Sequence, residues 1–325
     1  MNLMILSPGR RVDIVKYFKK VLNKHKSKVI TLDMSNYAPA LYSGDKWYTI
    51  QKNFNNLDKY IDDVIRICKK EKVTYLMTLI DPELKLIAEN VDKFKLNNII
   101  PIISSKEFIN NTFDKYLFYK NYKDKLNLVP TYIDKKEILE NNEIEFPIFT
   151  KDRKGSGSSG LKLINNKENL KIINDTNLIY QKFIDGKEFG VDVYFDFISG
   201  KIVSVFMKEK INMRAGETDK SVSVFREDIL NEIMKLEDIH GIKGPIDVDV
   251  FISNDGELYI NEINPRFGGG YPHAYGCGVD FISMIGNNMM GGINTKKIGE
   301  YPVDILMMKY NGIIYKKGYE IYELK

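Results

Sequence analysis

The chain has few of the residues that most often carry metal and redox chemistry: 325 residues hold two cysteines, Cys68 and Cys277, and three histidines, His25, His240 and His273. Two cysteines so far apart make neither a disulfide framework nor a zinc cluster, and the histidines show no ligand spacing. No apolar run approaches the roughly 20 residues of a membrane-spanning helix. The opening run Met1–Leu6 is too short for an export signal before it meets Ser7-Pro8-Gly9-Arg10-Arg11. We therefore expect a cytoplasmic, reduced protein without a membrane partner. Blocks of like charge are missing too. Forty-eight basic residues against 44 acidic leave a net +4, with the lysines scattered among acids, so no nucleic-acid partner is expected. At 43% hydrophobic and 12% aromatic residues the chain can bury a real core, which excludes disorder as its main state. Its length suggests about two domains, or three small ones.

What is present alternates. Asn2–Leu6, Val29–Leu32, Val73–Leu79 and Asn98–Ile103 read as strands. Helical spacing separates them at Val12, Ile14, Val15, Phe18 and Val21, and again at Ile61, Val64, Ile65 and Cys68. Such alternation over about 100 residues predicts a parallel sheet with right-handed crossovers, a Rossmann-like unit. Its first turn lacks the Gly-x-Gly-x-x-Gly of a dinucleotide site: Asp33 is suitably spaced for a ribose contact, but Gly9 stands alone. A nicotinamide-dependent oxidoreductase is thus the poorest reading, and a scaffold or one wall of a substrate cleft the better one. Farther on, Phe113–Tyr122 reads as one helix carrying Asp114 and Lys115. Phe146–Thr150, Leu161–Ile164, Leu178–Phe183, Gly190–Phe197, Lys201–Lys210, Pro245–Ser253 and Glu257–Asn264 read as strands. Ile229–Leu236 and Phe281–Met290 read as helices, and Asn311-Gly312 as a closing hairpin turn.

Two constellations carry chemistry. The first is Gly155-Ser156-Gly157-Ser158-Ser159-Gly160. It is not a Walker A loop, because Leu161-Lys162 follows where Lys-Ser/Thr would open a helix, and no kinase catalytic motif accompanies it. It reads as a hairpin tip entered from a strand ending at Lys151, able to fold N–H groups over phosphates beside that lysine. A plain surface turn is the bland alternative.

The second constellation is acidic. Asp255-Gly256 predicts a two-residue hairpin turn, with Asn254 opposite Glu257. That register sets Asp249 opposite Glu262 and Asp247 opposite Asn264, all on one face. Opposed carboxylates about 5 Å apart repel by roughly 3 kcal/mol at an effective dielectric near 20. A hard divalent cation between them would relieve that repulsion; so would solvent, if the face were exposed.

Glu262-Ile263-Asn264-Pro265-Arg266, preceded by Asp247-Val248-Asp249 and by Asp255-Gly256, resembles the ATP-grasp superfamily, especially single-module relatives of the carbamoyl-phosphate synthetase large subunit and of carboxylate–amine ligases. Gln181-Lys182-Phe183-Ile184 followed by Gly186-Lys187-Glu188-Phe189 is similar to that family's adenine and ribose segment. The resemblance spans nearly the whole chain. It implies an α/β protein, α+β in its second part: a Rossmann-like pre-ATP-grasp domain over 1–111, a lid subdomain over 112–184 and a central and C-terminal domain over 185–325. It implies that Lys115, Lys151 and the loop Gly155–Gly160 meet ATP phosphates. Gln181, Lys182, Phe183, Ile184 and Glu188 would hold adenine and ribose, and Lys208 would face the nucleotide, with Lys210 likewise facing the site. Asp249, Glu262 and Asn264 would bind one or two Mg²⁺ ions, with Mn²⁺ able to substitute, while Arg266, Arg214 and Lys151 would act on the transferred phosphoryl group or the substrate. Lys182 stands where many members carry Glu, and Asp249 where some have Gln or Glu. His273, in the loop after Arg266, is left open between a pocket-lining and a structural role.

The implied activity is an ATP-dependent ligase joining a small-molecule carboxylate to an amine through an acyl phosphate, with a homodimer as the default assembly. A phosphorylating, kinase-like enzyme, a carbamoyl-phosphate-synthetase-like subunit needing partners, and a non-catalytic nucleotide-binding module are the alternatives.

Overall fold

The computed structural model describes residues 1–53, 56–155, 160–175 and 177–316. Its first sheet is built from β1 (Asn2–Leu6), β2 (Val29–Asp33), β3 (Lys46–Thr49), β4 (Val73–Thr78) and β5 (Ile100–Pro101), in the order β3-β2-β1-β4-β5 with every pairing parallel. The predicted parallel unit is present, with two differences. β3 was not foreseen, and the run expected over Asn98–Ile103 pairs over two residues only. β1 and β2 are buried almost throughout, as strands covered on both faces must be. The helix Val12–Leu22 turns Ile14, Val15, Phe18 and Leu22 onto one side of the sheet; Leu57–Lys70 turns Tyr60, Ile61, Val64, Ile65 and Cys68 onto another core cluster.

The single helix expected over Phe113–Tyr122 is two. Lys106–Phe113 ends at Asp114, whose carboxylate then caps Lys115–Tyr122 by accepting from Leu117 N at 3.2 Å. An aspartate tolerated within a helix is better placed as an N-cap, and the cap wins here. The next sheet comprises β6 (Thr131–Tyr132), β7 (Ile148–Asp152), β8 (Lys162–Ile164) and β9 (Leu178–Lys182), all antiparallel in the order β6-β9-β7-β8. β7 and β8 form the hairpin expected around the glycine loop.

The largest sheet has β10 (Gly186–Phe195), β11 (Ile202–Arg214), β12 (Glu217–Val224), β13 (Gly244–Ser253), β14 (Leu258–Asn264), β15 (Lys297–Ile298) and β16 (Leu306–Met308). Its order is β14-β13-β10-β11-β12-β16, antiparallel along this path, with β15 parallel to β11. β12 was not anticipated, and no strand follows Asn311-Gly312 through residue 316, so the closing hairpin is not formed among the described residues. The mixed α/β architecture, a parallel sheet followed by antiparallel ones, is the one expected.

Candidate active site

The site is organised by β13 and β14. Ile246, Val248 and Val250 enter the core, which leaves Asp247, Asp249 and Phe251 on the opposite face. Across the ladder Asp247 pairs with Asn264 and Asp249 with Glu262, as expected from sequence. The route to that register differs. The turn has three residues, not two: Ser253 N donates to Glu257 O at 2.9 Å, and Gly256 takes φ +91°. This moves the pairing by one, so that Val250 lies opposite Ile260; a bulge at Asn261 moves it back before the acids. Two departures from the simple hairpin cancel.

The acidic face is not open to solvent. The Asp249 side chain is 14% exposed and Lys210 Nζ donates to its Oδ1 at 2.6 Å and to Glu188 Oε1 at 2.7 Å. Lys210 reaches Asp249 across Gly190 of the intervening strand, where a Cβ would come within 3.2 Å of the Lys210 Cε. Burial pushes the Asp249 carboxyl upward, with Lys210 opposing and Asp247 and Glu262 adding to the rise. Glu262 goes the other way: burial opposes its charge, but Lys151 and Lys115 outweigh that and hold it below the ordinary range. Repulsion between the two acids is thus partly met by lysines, a remedy that strand pairing alone does not reveal.

The cations arrive from separate elements. Lys151, at the end of β7, is buried and its Nζ donates to the bulge residue Asn261 at Oδ1, 2.9 Å away. Burial, with Lys115 nearby, lowers its pKa to about 8 against the pull of Glu262 and Asp249. Lys115 Nζ donates to Gly155 O at 2.6 Å, and the chain beside it is pinned by Arg153, whose guanidinium grips Asp114. Arg266, just past β14, donates to Asp81 Oδ2 at 3.0 and 3.2 Å and to Asp247 Oδ2 at 3.3 Å. Burial works against that charge, but the two carboxylates outweigh it and raise the guanidinium's pKa.

These groups line one cavity of about 420 Å³. Of the residues singled out from sequence, it brings together Lys115, Lys151, Gly155, Gln181, Lys182, Phe183, Ile184, Glu188, Asp249, Glu262, Asn264 and Arg266. Gln181 is held by a hydrogen bond from its Nε2 to Thr131 Oγ1, and Lys182 N donates to Pro130 O. Gly160 closes its hairpin by accepting from Thr150 Oγ1 at 3.2 Å, whereas Ser156, Gly157, Ser158 and Ser159 lie outside the described residues. Lys208 is placed elsewhere: it is 1% exposed and bonded to Asp192 at 2.5 Å, away from the cavity lining. The alternation of strand faces sends Lys208 and Lys210 to the same side, but Asp192 takes the first and Asp249 the second. Arg214 is exposed and lines a neighbouring cavity. His273 is a core residue, its Nδ1 2.8 Å from Ser221 Oγ and its Nε2 3.0 Å from Ile305 O. Lys210, paired with Lys208 in the sequence reading, does face the site; Asn261, Asp81 and Arg11 belong to it and were missed, only the charge of the last two being visible in sequence.

A family model described as an ATP-grasp domain matches residues 112–270, and one described as a PylC-like N-terminal domain matches residues 3–103. Residues 112–270 are an ATP-grasp domain. The chain is an enzyme homologous to carboxylate–amine ligases. This ATP-grasp chain is 27% identical to a tyramine–L-glutamate ligase of Methanocaldococcus jannaschii over 65% of its own length and 67% of the relative's. It is 24% identical to the carbamoyl phosphate synthase large chain of Clostridium beijerinckii over 51% of its own length, which is only 17% of that larger protein. Among solved structures, the N5-carboxyaminoimidazole synthetase of Staphylococcus aureus superposes with a TM-score of 0.73 at 19% identity, covering 94% of this chain and 81% of the other, and shows the same fold. No helix among the described residues is long and apolar enough to cross a membrane.

Proposed function

We propose that this ATP-grasp enzyme is a ligase that joins a small-molecule carboxylate to an amine, using ATP and passing through an acyl phosphate. One observation carries the reading: Asp249 faces Glu262 on the floor of a cavity whose other walls bring in Lys115, Lys151 and Arg266. Phosphates need those cations. Phe149, Leu161, Phe183, Ile184 and Phe251 line the same cavity and offer apolar surface to a planar base. Within this reading residues 1–111, 112–184 and 185–325 act as pre-ATP-grasp domain, lid and central domain.

Asp249, Glu262 and Asn264 present only oxygen and amide donors. Asp249 Oδ2 and Asn264 Oδ1 have no hydrogen-bond partner among the described residues, which suits a hard cation that keeps room for phosphate and water. Among the described residues no three His, Cys, Asp or Glu side chains form a metal cluster by themselves, so phosphate oxygens would complete the shell. Mg²⁺ held there, or Mn²⁺ in its place, supplies charge that offsets the phosphate oxygens.

The chain's own residues do the rest. Lys115, Lys151 and Arg266 stabilise charge as an oxygen of the acid bonds to the γ-phosphorus and the bond from that phosphorus to the β,γ-bridging oxygen breaks, releasing ADP. The amine nitrogen then bonds to the acyl carbon, the carbon–oxygen bond to phosphate breaks, and the nitrogen's proton leaves to phosphate or solvent. Two buried free thiols, Cys68 and Cys277, suit the reducing cytoplasm.

ADP release screened over pairs of acids and amines, starting with L-glutamate and tyramine, tests the proposal. Release that depends on both, with a hydroxamate formed when hydroxylamine replaces the amine, supports it. Lys151→Ala and Glu262→Ala should each abolish release while leaving the circular dichroism unchanged; undiminished turnover in either overturns the site. Release with an acid alone, leaving a stable phosphorylated product, would mark a kinase-like enzyme instead.

A further inference from the structure

Next to the nucleotide cavity lies a second one of about 520 Å³, and Arg11, Glu217, Thr218 and Gly269 line both. Its lining comes from distant parts of the chain, among them the turn after β1, the end of β11 with Arg214, the loop at Gly268, Gly269 and Pro272, and the segment from Met307 to Ile314. Its charge is unbalanced. Arg11 sits 3.5 Å from Glu217, which Lys309 also contacts at 3.0 Å, so one carboxylate serves two cations. Arg10 and Arg214 are exposed and have no ion pair among the described residues, although Lys16, Asp13 and Asp219 also line the cavity. Five cations therefore face three carboxylates.

The segment 307–314 adds apolar side chains to the lining, along with Lys309 and Asn311. Met308, Tyr310, Ile313 and Ile314 are 61%, 91%, 74% and 40% exposed, yet they follow one another along the cavity. Exposed apolar side chains along one segment, beside guanidinium groups that have no ion pair among the described residues, suit an amphipathic anion.

We propose that this second cavity holds the acid substrate and selects acids with a second anionic group beside an apolar body. The proposal rests on the ligase reading above. Arg11, on the shared wall, meets the carboxylate that is phosphorylated, Arg10 and Arg214 take the second anion, and the 308–314 segment covers the carbon skeleton.

Matched acids test it: L-glutamate against L-glutamine, glutarate against butyrate, and phthalate against benzoate. Each is offered to the full chain with Mg-ATP and a panel of amines, and ADP release is recorded. We expect each diacid to exceed its single-charge partner at least tenfold in kcat/KM. Arg10→Gln and Arg214→Gln should raise the diacid KM about tenfold, leave the KM for ATP unchanged, and act little on kcat; Arg214→Lys should restore part of the loss. Equal rates with single-charge acids, or an unmoved diacid KM in both variants, overturn the proposal while leaving the ligase reading intact. Calorimetric titration of the same acids into the protein with Mg-ADP separates the two ideas. A diacid that binds, and is lost in both arginine variants, supports the cavity even if no ADP ever forms, in which case the ligase reading fails alone. Absence of both binding and turnover for every diacid overturns the cavity. Both arginines are exposed, so their replacement leaves the core untouched.

Discussion

Asp81 Oδ2 accepts from both Nε and Nη2 of Arg266, 185 residues away, at 3.2 and 3.0 Å. The bond ties a helix of the first sheet's unit to the turn that follows β14. The other oxygen, Asp81 Oδ1, is buried with no hydrogen-bond partner among the described residues. Asp81→Ala should leave Arg266 buried with Asp247 as its sole carboxylate, and lower stability by about 2–4 kcal/mol. Urea denaturation would read the loss. ADP formation should fall tenfold or more, because the guanidinium is no longer fixed.

If Lys151 meets the nucleotide as proposed, it should make nucleotide binding depend on pH. Its pKa is lowered to about 8 by burial and by Lys115, and the protonated form is the one that attracts phosphate. Raising the pH through 8 should therefore weaken ATP affinity by up to tenfold per unit, and binding near pH 8 should take up a proton. Calorimetry in buffers of different ionisation heat measures that uptake. Lys151→Arg should abolish it, since a guanidinium stays charged.

The bulge at Asn261 supports a pair of tests. Asn261→Ala keeps the ladder but removes the Oδ1 acceptor of Lys151, and should raise the KM for ATP several-fold, a loss of about 1 kcal/mol. Deleting Asn261 removes only the extra residue of the bulge, so Glu262 should stay opposite Asp249 in a regular ladder while Lys151 still loses its acceptor. ADP formation should then fall about as far as in Asn261→Ala and should not vanish.

His273 should matter for stability and not for turnover. Burial and nearby Lys208 lower its pKa to about 4. The unfolded chain binds the proton between pH 6.5 and 4 while the folded one does not, so stability should fall as pH drops through that window. His273→Ala leaves Ser221 Oγ and Ile305 O without their partner and should cost about 2 kcal/mol with kcat nearly unchanged.

Much of this molecule was legible where side-chain pattern and backbone period agree. The largely apolar runs at Asn2–Leu6 and Val29–Leu32, and the alternation of acids with Ile and Val before Ser253, announce their strands. β12 was missed because the residues it buries are Thr218, Ser221 and Ser223, which leave no hydrophobic rhythm. β3 is four residues at a sheet edge, with Lys46 exposed. The register of the acids was right, but its derivation assumed a two-residue turn and no bulge, two errors of opposite sign. Lys208 and Lys210 could not be told apart in sequence, because each choice is decided by a carboxylate on a different strand.

Arg11 stands in the wall between two chambers and closes part of each. A lineage that altered it to admit a different acid would disturb nucleotide handling at the same stroke. Divergence of acid choice among close kin should accordingly settle on Arg10, Arg214 and the tail beyond β16, and leave Arg11 standing.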